Sequence, residues 1–141
     1  MHIYFSQIYI QEGISFPFSH IFQKYLSEKI TSLVECSDKF TKLYGSDWDV
    51  IFRISAKKEI DETEIKGPTL FKKDKDIEYT IFLPYRKITK EKDIYKAALN
   101  DVITSVSGIL ESLGFSTSEI IASKSRLISE IHSNKEMFKY G

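Results

Sequence analysis

Residues 48–56 read WDVIFRISA and alternate apolar with polar side chains over most of their length, which is typical of a half-buried β-strand. One face of this strand carries Trp48, Val50, Phe52, Ile54 and Ala56. The other face carries Asp49, Ile51, Arg53 and Ser55. The pattern therefore predicts a sheet with one face against a hydrophobic core and a more polar second face.

Other segments predict further strands on both sides of this one. Residues 77–83 have Ile, Tyr, Ile and Leu at every second position, and Pro84 is expected to end that strand or to place it at an edge. Residues 2–10 are rich in Ile, Tyr and Phe and predict a first strand with a bulge near Ser6. Residues 69–72 favour a short additional strand, so the sheet should have about four strands.

Helical periodicity accounts for most of the remaining chain. Apolar residues recur at spacings of three and four over residues 18–34, and the pattern can be extended as far as Gly45. Residues 94–113 carry a wide apolar face closed by Gly114. Residues 116–119 have the spacing of a capping box and predict a last helix with Ser116 as its N-cap.

The order of these elements predicts a two-layer α+β fold. We expect the order β-α-β-β-β-α-α, with the helices packed on one face of the sheet. Adjacent strands joined by short connections favour an antiparallel arrangement of the sheet. The side chains expected in the core include Trp48, Phe52, Ile54, Ile81, Leu99, Val106 and Leu110.

Composition narrows the class of protein. The chain has 141 residues, 42% hydrophobic and 28% charged, so we expect one folded domain over residues 1–141. Lys plus Arg total 20 and Asp plus Glu total 20, which argues against a dedicated nucleic-acid binder, since such proteins carry a basic excess. The first residues lack the pattern of a secretory signal, and no apolar run is long enough for a membrane span, so a cytoplasmic location is expected.

No motif for catalysis, cofactor binding or metal binding is present in the sequence. The six glycines are scattered, so there is neither a dinucleotide-binding fingerprint nor a phosphate-binding loop. Cys36 is the only cysteine, and its nearest charged neighbours are acidic and oppose formation of a thiolate. His2, His20 and His132 are far apart and have no metal-ligand spacing. We therefore expect no enzyme activity, no cofactor, and no catalytic or metal-binding residue.

Charged residues are concentrated between and after the two clearest strands. One acidic run lies within residues 59–64 and a second within 74–78, with lysines between them. Such runs are usually solvated loops, and the alternative is a surface that attracts a basic partner protein. Under that alternative the contacting residues are expected to be Asp61, Glu62, Glu64, Asp74, Asp76 and Tyr85.

The strand segments WDVIF (48–52) and YTIFLP (79–84), followed by two closing helices, resemble the immunity proteins of bacterial polymorphic-toxin and contact-dependent growth inhibition systems. The resemblance implies a small cytoplasmic α+β protein that binds and neutralises one cognate toxin, often a nuclease. An acidic surface suits such a role, because a nuclease holds phosphates through Lys and Arg. The toxin is thus the expected partner, and neither a membrane nor a nucleic acid is expected to bind directly.

Two other functions stay open. A small enzyme with a dispersed active site would require a deep pocket that contains His20, His132, Cys36, or the pair Asp47 and Asp49. A regulatory domain associated with nucleic acid would instead use Lys87, Lys90 and Lys92 to contact phosphates.

Overall fold

The computed structural model describes residues 1–7, 18–34, 37–88 and 92–138, without the side chains of 92–94. The strands in this part of the chain are β1 (Ile3–Gln7), β2 (Asp49–Lys57), β3 (Glu64–Phe71) and β4 (Asp76–Pro84). The α-helices are α1 (His20–Leu33), α2 (Asp38–Leu43), α3 (Lys92–Ser112) and α4 (Ser118–Ser133). Short 3-10 turns follow β4 and α4, at Tyr85–Ile88 and Lys135–Phe138.

The predicted two-layer α+β fold is confirmed. The inward face of the sheet packs against apolar side chains of the helices in one core, which contains Phe22, Leu26, Phe52, Ile54, Ile81, Leu99, Val106 and Leu110. All of these side chains are almost completely buried. Trp48 was expected among them and is only half-buried, because it precedes β2 and packs against the ring of Tyr44 at 5.6 Å.

The prediction of an antiparallel sheet is wrong for two of the three strand pairs. The strand order is β1-β2-β4-β3, and β2 is parallel to both β1 and β4, while only β3 and β4 are antiparallel. The chain leaves β2, passes the position of β4 and forms β3 first, so that β4 returns between them. β3 runs in the opposite direction to β2, and β4 runs in the opposite direction to β3. β4 is therefore parallel to β2.

The pairing of β1 with β2 also has a physical reason that local patterns do not reveal. Two helices separate these strands, and a crossover of that length carries the chain back to its starting end, which produces a parallel pair. On its other side β1 lies along α1. The side chain of Thr31 accepts a hydrogen bond from the backbone N–H of Ile3 at 3.0 Å, and Ser27 donates one to the carbonyl of Ile3.

The helices differ from the prediction at their ends. The apolar pattern that could extend to Gly45 belongs to two helices, because Val34 has an extended backbone and Ser37 caps a new helix by accepting from the N–H of Phe40. The capping box is also wrong: Thr117 is the N-cap of α4 and makes no side-chain cap. Of the predicted first strand, residues 8–10 lie outside the described residues, as does Cys36.

Candidate partner-binding surface

The edge strand β3 is the most exposed regular element in the described part of the chain. All eight of its residues are solvent-exposed, including Ile65, Leu70 and Phe71, which are 46%, 43% and 41% exposed. Large apolar side chains on an unpaired strand edge are unusual in proteins without a partner, because such edges promote association. β3 is therefore the first place to look for an interaction surface.

The outward face of the sheet, turned away from the helices, carries a compact group of acidic and aromatic side chains. In the strand register Phe71 lies opposite Asp76, and Asp76 lies opposite Asp49, so the three share one row across β3, β4 and β2. Asp74 lies in the turn that joins β3 to β4 and is exposed. We call these four residues the turn-end patch.

Negative charge in the turn-end patch is only partly compensated. Partial burial and the carboxylates of Asp49, Asp74 and Glu78 all raise the pKa of Asp76. Asp49 accepts a hydrogen bond from the backbone N–H of His2 at 2.8 Å. Within the described residues neither Asp74 nor Asp76 makes a salt bridge, so two carboxylates without an ion pair lie close to an exposed phenylalanine.

Nearby acidic groups outside the patch are paired. Glu78 forms a two-point ion pair with Arg53, with donor–acceptor distances of 2.8 and 3.2 Å. Lys75 bonds to Asp47, and this hydrogen bond is the main reason that the pKa of Asp47 is lowered. Arg53 and Lys75 are thus engaged by carboxylates other than those of Asp74 and Asp76, while Lys72 and Lys73 are exposed in the same turn as Asp74.

The structure divides the predicted partner-binding residues into two groups. Asp74 and Asp76 belong to the turn-end patch, whereas Glu64 begins β3 and pairs in register with Phe82 near the other end of β4. Asp61 and Glu62 are exposed in the loop before β3, and Tyr85 follows β4. The two ends of the hairpin are six residue steps apart along β4, from Asp76 to Phe82, which corresponds to about 20 Å. We call Asp61, Glu62, Glu64 and Tyr85 the loop-end group.

Three members of the loop-end group contact basic side chains directly. Lys57 lies 3.8 Å from the carboxylate of Glu64, and the guanidinium of Arg86 donates to the backbone carbonyl of Asp61 at 2.7 Å. The ammonium of Lys58 lies 5.6 Å from the ring centroid of Tyr85. These contacts reduce the local negative potential, so the turn-end patch is the stronger candidate for contact with a basic partner.

A groove of about 610 Å³ lies between β1 and α1. It is lined by polar and aromatic residues that include His2, Tyr4, His20, Lys24, Ser27 and Glu28. Two of the three histidines therefore reach one surface although they are 18 positions apart in sequence. His132 does not line this groove, and the described residues contain no group of three or more His, Cys, Asp or Glu arranged to hold a metal ion.

The basic segment after β4 does not form a free cationic surface in the part that the structure describes. Lys87 forms an ion pair with Asp101 at 2.6 Å, and Thr63 donates to the same carboxylate oxygen at 2.8 Å. Lys90 and the side chain of Lys92 lie outside the described residues. No helix in the described ranges is long and apolar enough to cross a membrane.

Sequence reasoning missed the apolar part of the surface. The acidic run within residues 59–64 was interpreted as a solvated loop or a partner surface, and the additional strand was placed at 69–72, whereas β3 covers Glu64–Phe71. An exposed strand has no alternation of buried and exposed side chains, so its signal is weak. The sequence feature that could have indicated this surface is the run Thr69-Leu70-Phe71, in which two large apolar residues are followed directly by lysines.

Comparison with protein families, with curated proteins and with solved structures finds no match to this chain. The function is therefore inferred from the surface and its chemistry.

Proposed function

We propose that this chain is a noncatalytic protein-binding module that recognises a basic partner through the outward face of its sheet. In its specific form, the proposal is a cytoplasmic immunity protein that binds and neutralises a cognate bacterial toxin with a basic active site, such as a nuclease. The observation that carries the proposal is the row formed by Asp49, Asp76 and exposed Phe71, in which the carboxylate of Asp76, which makes no salt bridge within the described residues, adjoins an apolar ring.

The chemistry of the turn-end patch suits an arginine or lysine side chain. Its carboxylates supply acceptors for a guanidinium or ammonium group, and Phe71 supplies an aromatic ring against which the aliphatic stem or a planar guanidinium can pack. A nuclease exposes such cations in the place where it holds the phosphates of its substrate. An inhibitor with this surface would compete with nucleic acid and would be steered to its target by charge.

The experiment tests this chain against any toxin domain that the adjoining gene encodes, and compares two double charge reversals. Asp74→Lys/Asp76→Lys changes the turn-end patch, and Asp61→Lys/Glu62→Lys makes the same change in charge at the loop-end group. We expect the wild-type chain to protect cells that express the toxin, and the first variant to lose protection. The second should slow association at low salt but keep most of the affinity, since rim charges act mainly on the rate of association.

Binding kinetics at low and high salt complete the test. The association rate of the wild-type chain should fall as salt rises, and this dependence should be smaller in the turn-end variant. If the folded turn-end variant binds and protects like the wild type, the turn-end patch is not the interface. If the wild-type chain neither binds nor protects, the immunity function itself is wrong.

A second candidate function is a small enzyme, and the specific observation in its favour is the groove shared by His2 and His20. Histidine is the side chain best suited to proton transfer near neutral pH. The variant His2→Ala/His20→Ala separates the two functions. If this variant protects cells as well as the wild type does, the groove plays no part in neutralisation. Loss of protection with toxin binding retained would favour chemistry in the groove.

A further inference from the structure

We propose that His2 regulates how strongly the turn-end patch binds a basic partner, because its imidazole forms an ion pair with Asp49 when it carries a proton. This inference rests on the proposed function, since it concerns the regulation of the same surface. A basic partner should therefore bind more tightly at neutral pH than in mildly acidic solution.

His2 extends the row of the turn-end patch by one position. Ile3 lies opposite Val50 in the parallel pair of β1 and β2, and the backbone N–H of Val50 donates to the carbonyl of His2 at 3.0 Å. The residue before Ile3 therefore lies beside Asp49. Side chains alternate between the two faces of a strand, and Ile3 points into the core, so His2 and Asp49 share the outward face. The row thus has a histidine at one end, two aspartates in the middle and Phe71 at the other end.

Two contacts join His2 to Asp49. The backbone N–H of His2 donates to Oδ1 of Asp49 at 2.8 Å, and Nδ1 of the imidazole lies 3.9 Å from the same oxygen. The imidazole also stacks on the ring of Tyr4, with the two centroids 5.9 Å apart. A proton gained by this imidazole therefore places a positive charge within ion-pair distance of a carboxylate of the turn-end patch.

A proton on His2 lowers the negative charge of the turn-end patch. Imidazole is the side chain whose charge ordinarily changes between about pH 5 and pH 8. The imidazolium competes with the cation of the partner for Asp49, and it also repels that cation. Acidification should therefore weaken binding through His2, whereas the arginine and lysine side chains of the partner keep their charge.

Charged and titratable groups face His2 from several elements. Asp49 on β2 is the one that forms the ion pair, and Asp76 on β4 follows it in the row. Tyr4 lies beside His2 on β1, and the amino group of Met1 adjoins it along the chain. Across the groove, α1 presents the side chains of His20, Lys24 and Glu28. Because His20 is also an imidazole, its effect has to be separated from that of His2 by experiment.

Titration of the folded chain with an N-acetylated arginine hexapeptide tests the inference without an identified toxin. The amide signals of Asp74 and Asp76 in NMR spectra report binding at the turn-end patch. The dissociation constant is measured at low salt at about pH 7.5 and about pH 5.5, on the two sides of an ordinary imidazole titration. The loss of affinity on acidification should be about two- to fivefold larger in the wild type than in His2→Gln, as expected of an exposed ion pair.

His20→Gln is the matched control, because it removes the other imidazole of the groove and leaves the row unchanged. This variant should keep the pH dependence of the wild type. Circular dichroism confirms that both variants are folded, which we expect because the side chain of His2 is 66% exposed and His20 is exposed as well.

The outcomes separate this inference from the proposed function. A pH dependence that shrinks in His2→Gln and persists in His20→Gln supports the role of His2. If His2→Gln responds to pH as the wild type does, or if only His20→Gln changes the response, the inference is overturned and the proposed function stands. If the peptide moves neither amide signal of the wild type at either pH, the turn-end patch does not bind cations, and both fail.

Discussion

Asp49 and Asp76 lie opposite each other in the parallel pair of β2 and β4, both on the outward face of the sheet. Like charges at facing positions repel, and Asp49 is one of the groups that raise the pKa of Asp76. The fold tolerates this repulsion, and the same two carboxylates form half of the turn-end patch.

Replacing Asp76 by Asn should stabilise the free protein while it weakens binding to a basic partner. A carboxyl group whose pKa is raised on folding favours the folded state when protonated, and this contribution is lost as the pH rises through the folded pKa. At neutral pH the substitution should therefore raise the free energy of unfolding, by about 0.5 kcal/mol or less because solvent screens the repulsion. Urea unfolding of both proteins measures the difference.

The pH dependence identifies the cause of that stabilisation. As the pH falls through the raised pKa of Asp76, this carboxyl group becomes protonated in the wild type and the advantage of the Asn variant should shrink. Glu62→Gln removes an exposed carboxylate from the other end of the hairpin and serves as the control. An advantage that stays constant across this pH range would mean that the cost of the charge on Asp76, from its partial burial and from the neighbouring carboxylates, is not the reason.

Leu110 tests the core. Its side chain is fully buried within the hydrophobic core cluster, so Leu110→Ala removes apolar contacts and leaves a cavity. The free energy of unfolding should fall by about 2 to 5 kcal/mol. Ile121→Ala makes a similar change at an exposed position of α4 and should cost less than about 0.5 kcal/mol. Equal costs for the two substitutions would contradict the packing of α3.

Two glycines should respond to alanine in opposite directions. Gly108 lies within α3, and a Cβ placed there meets no heavy atom within 4 Å, so Gly108→Ala should stabilise the chain by about 0.5 to 1 kcal/mol. Gly114 has a φ of 95°, and a Cβ there would approach the Cβ of Lys39 to 2.8 Å. Gly114→Ala should destabilise by more than about 1 kcal/mol. Thermal unfolding of both variants gives the sign of each effect.

Ser19 caps α1, whereas Ser116, which the sequence predicted as the cap of α4, does not cap that helix. The hydroxyl of Ser19 accepts from the N–H of Phe22 at 3.3 Å and donates to the carbonyl of Glu136 at 2.6 Å. Ser19→Ala should cost about 1 to 2 kcal/mol, since it removes both bonds at a buried site. Ser116→Ala should cost less than about 0.5 kcal/mol, because Ser116 is exposed and does not cap α4. Chemical unfolding compares the two.

Local sequence patterns predicted the elements that have one buried face. The alternation in β2 and β4 placed Phe52, Ile54 and Ile81 correctly in the core, and the apolar face of α3 did the same for Leu99 and Leu110. These predictions succeed because the period of side chains along a strand or helix is a property of the segment itself. The α+β class followed from the order of such segments.

Strand direction and the interaction surface depend on contacts between distant residues, so local patterns could not give them. Nothing in residues 58–63 indicates that the chain skips the position beside β2, which β4 later occupies, before β3 begins. Asp76 and Asp49 were each visible as acidic residues, but their adjacency arises only from the parallel pairing of β2 and β4. The exposure of Phe71 likewise follows from the edge position of β3, which the sequence does not encode locally.

Ser27 and Thr31 bond to both backbone polar groups of Ile3, and α1 lies along that side of β1. Among the residues that the structure describes, the sheet therefore has one edge that a helix covers at Ile3 and one edge, β3, whose residues are all exposed. The hydroxyls of Ser27 and Thr31 thus occupy backbone polar groups of Ile3 that would otherwise be available to a strand of another molecule.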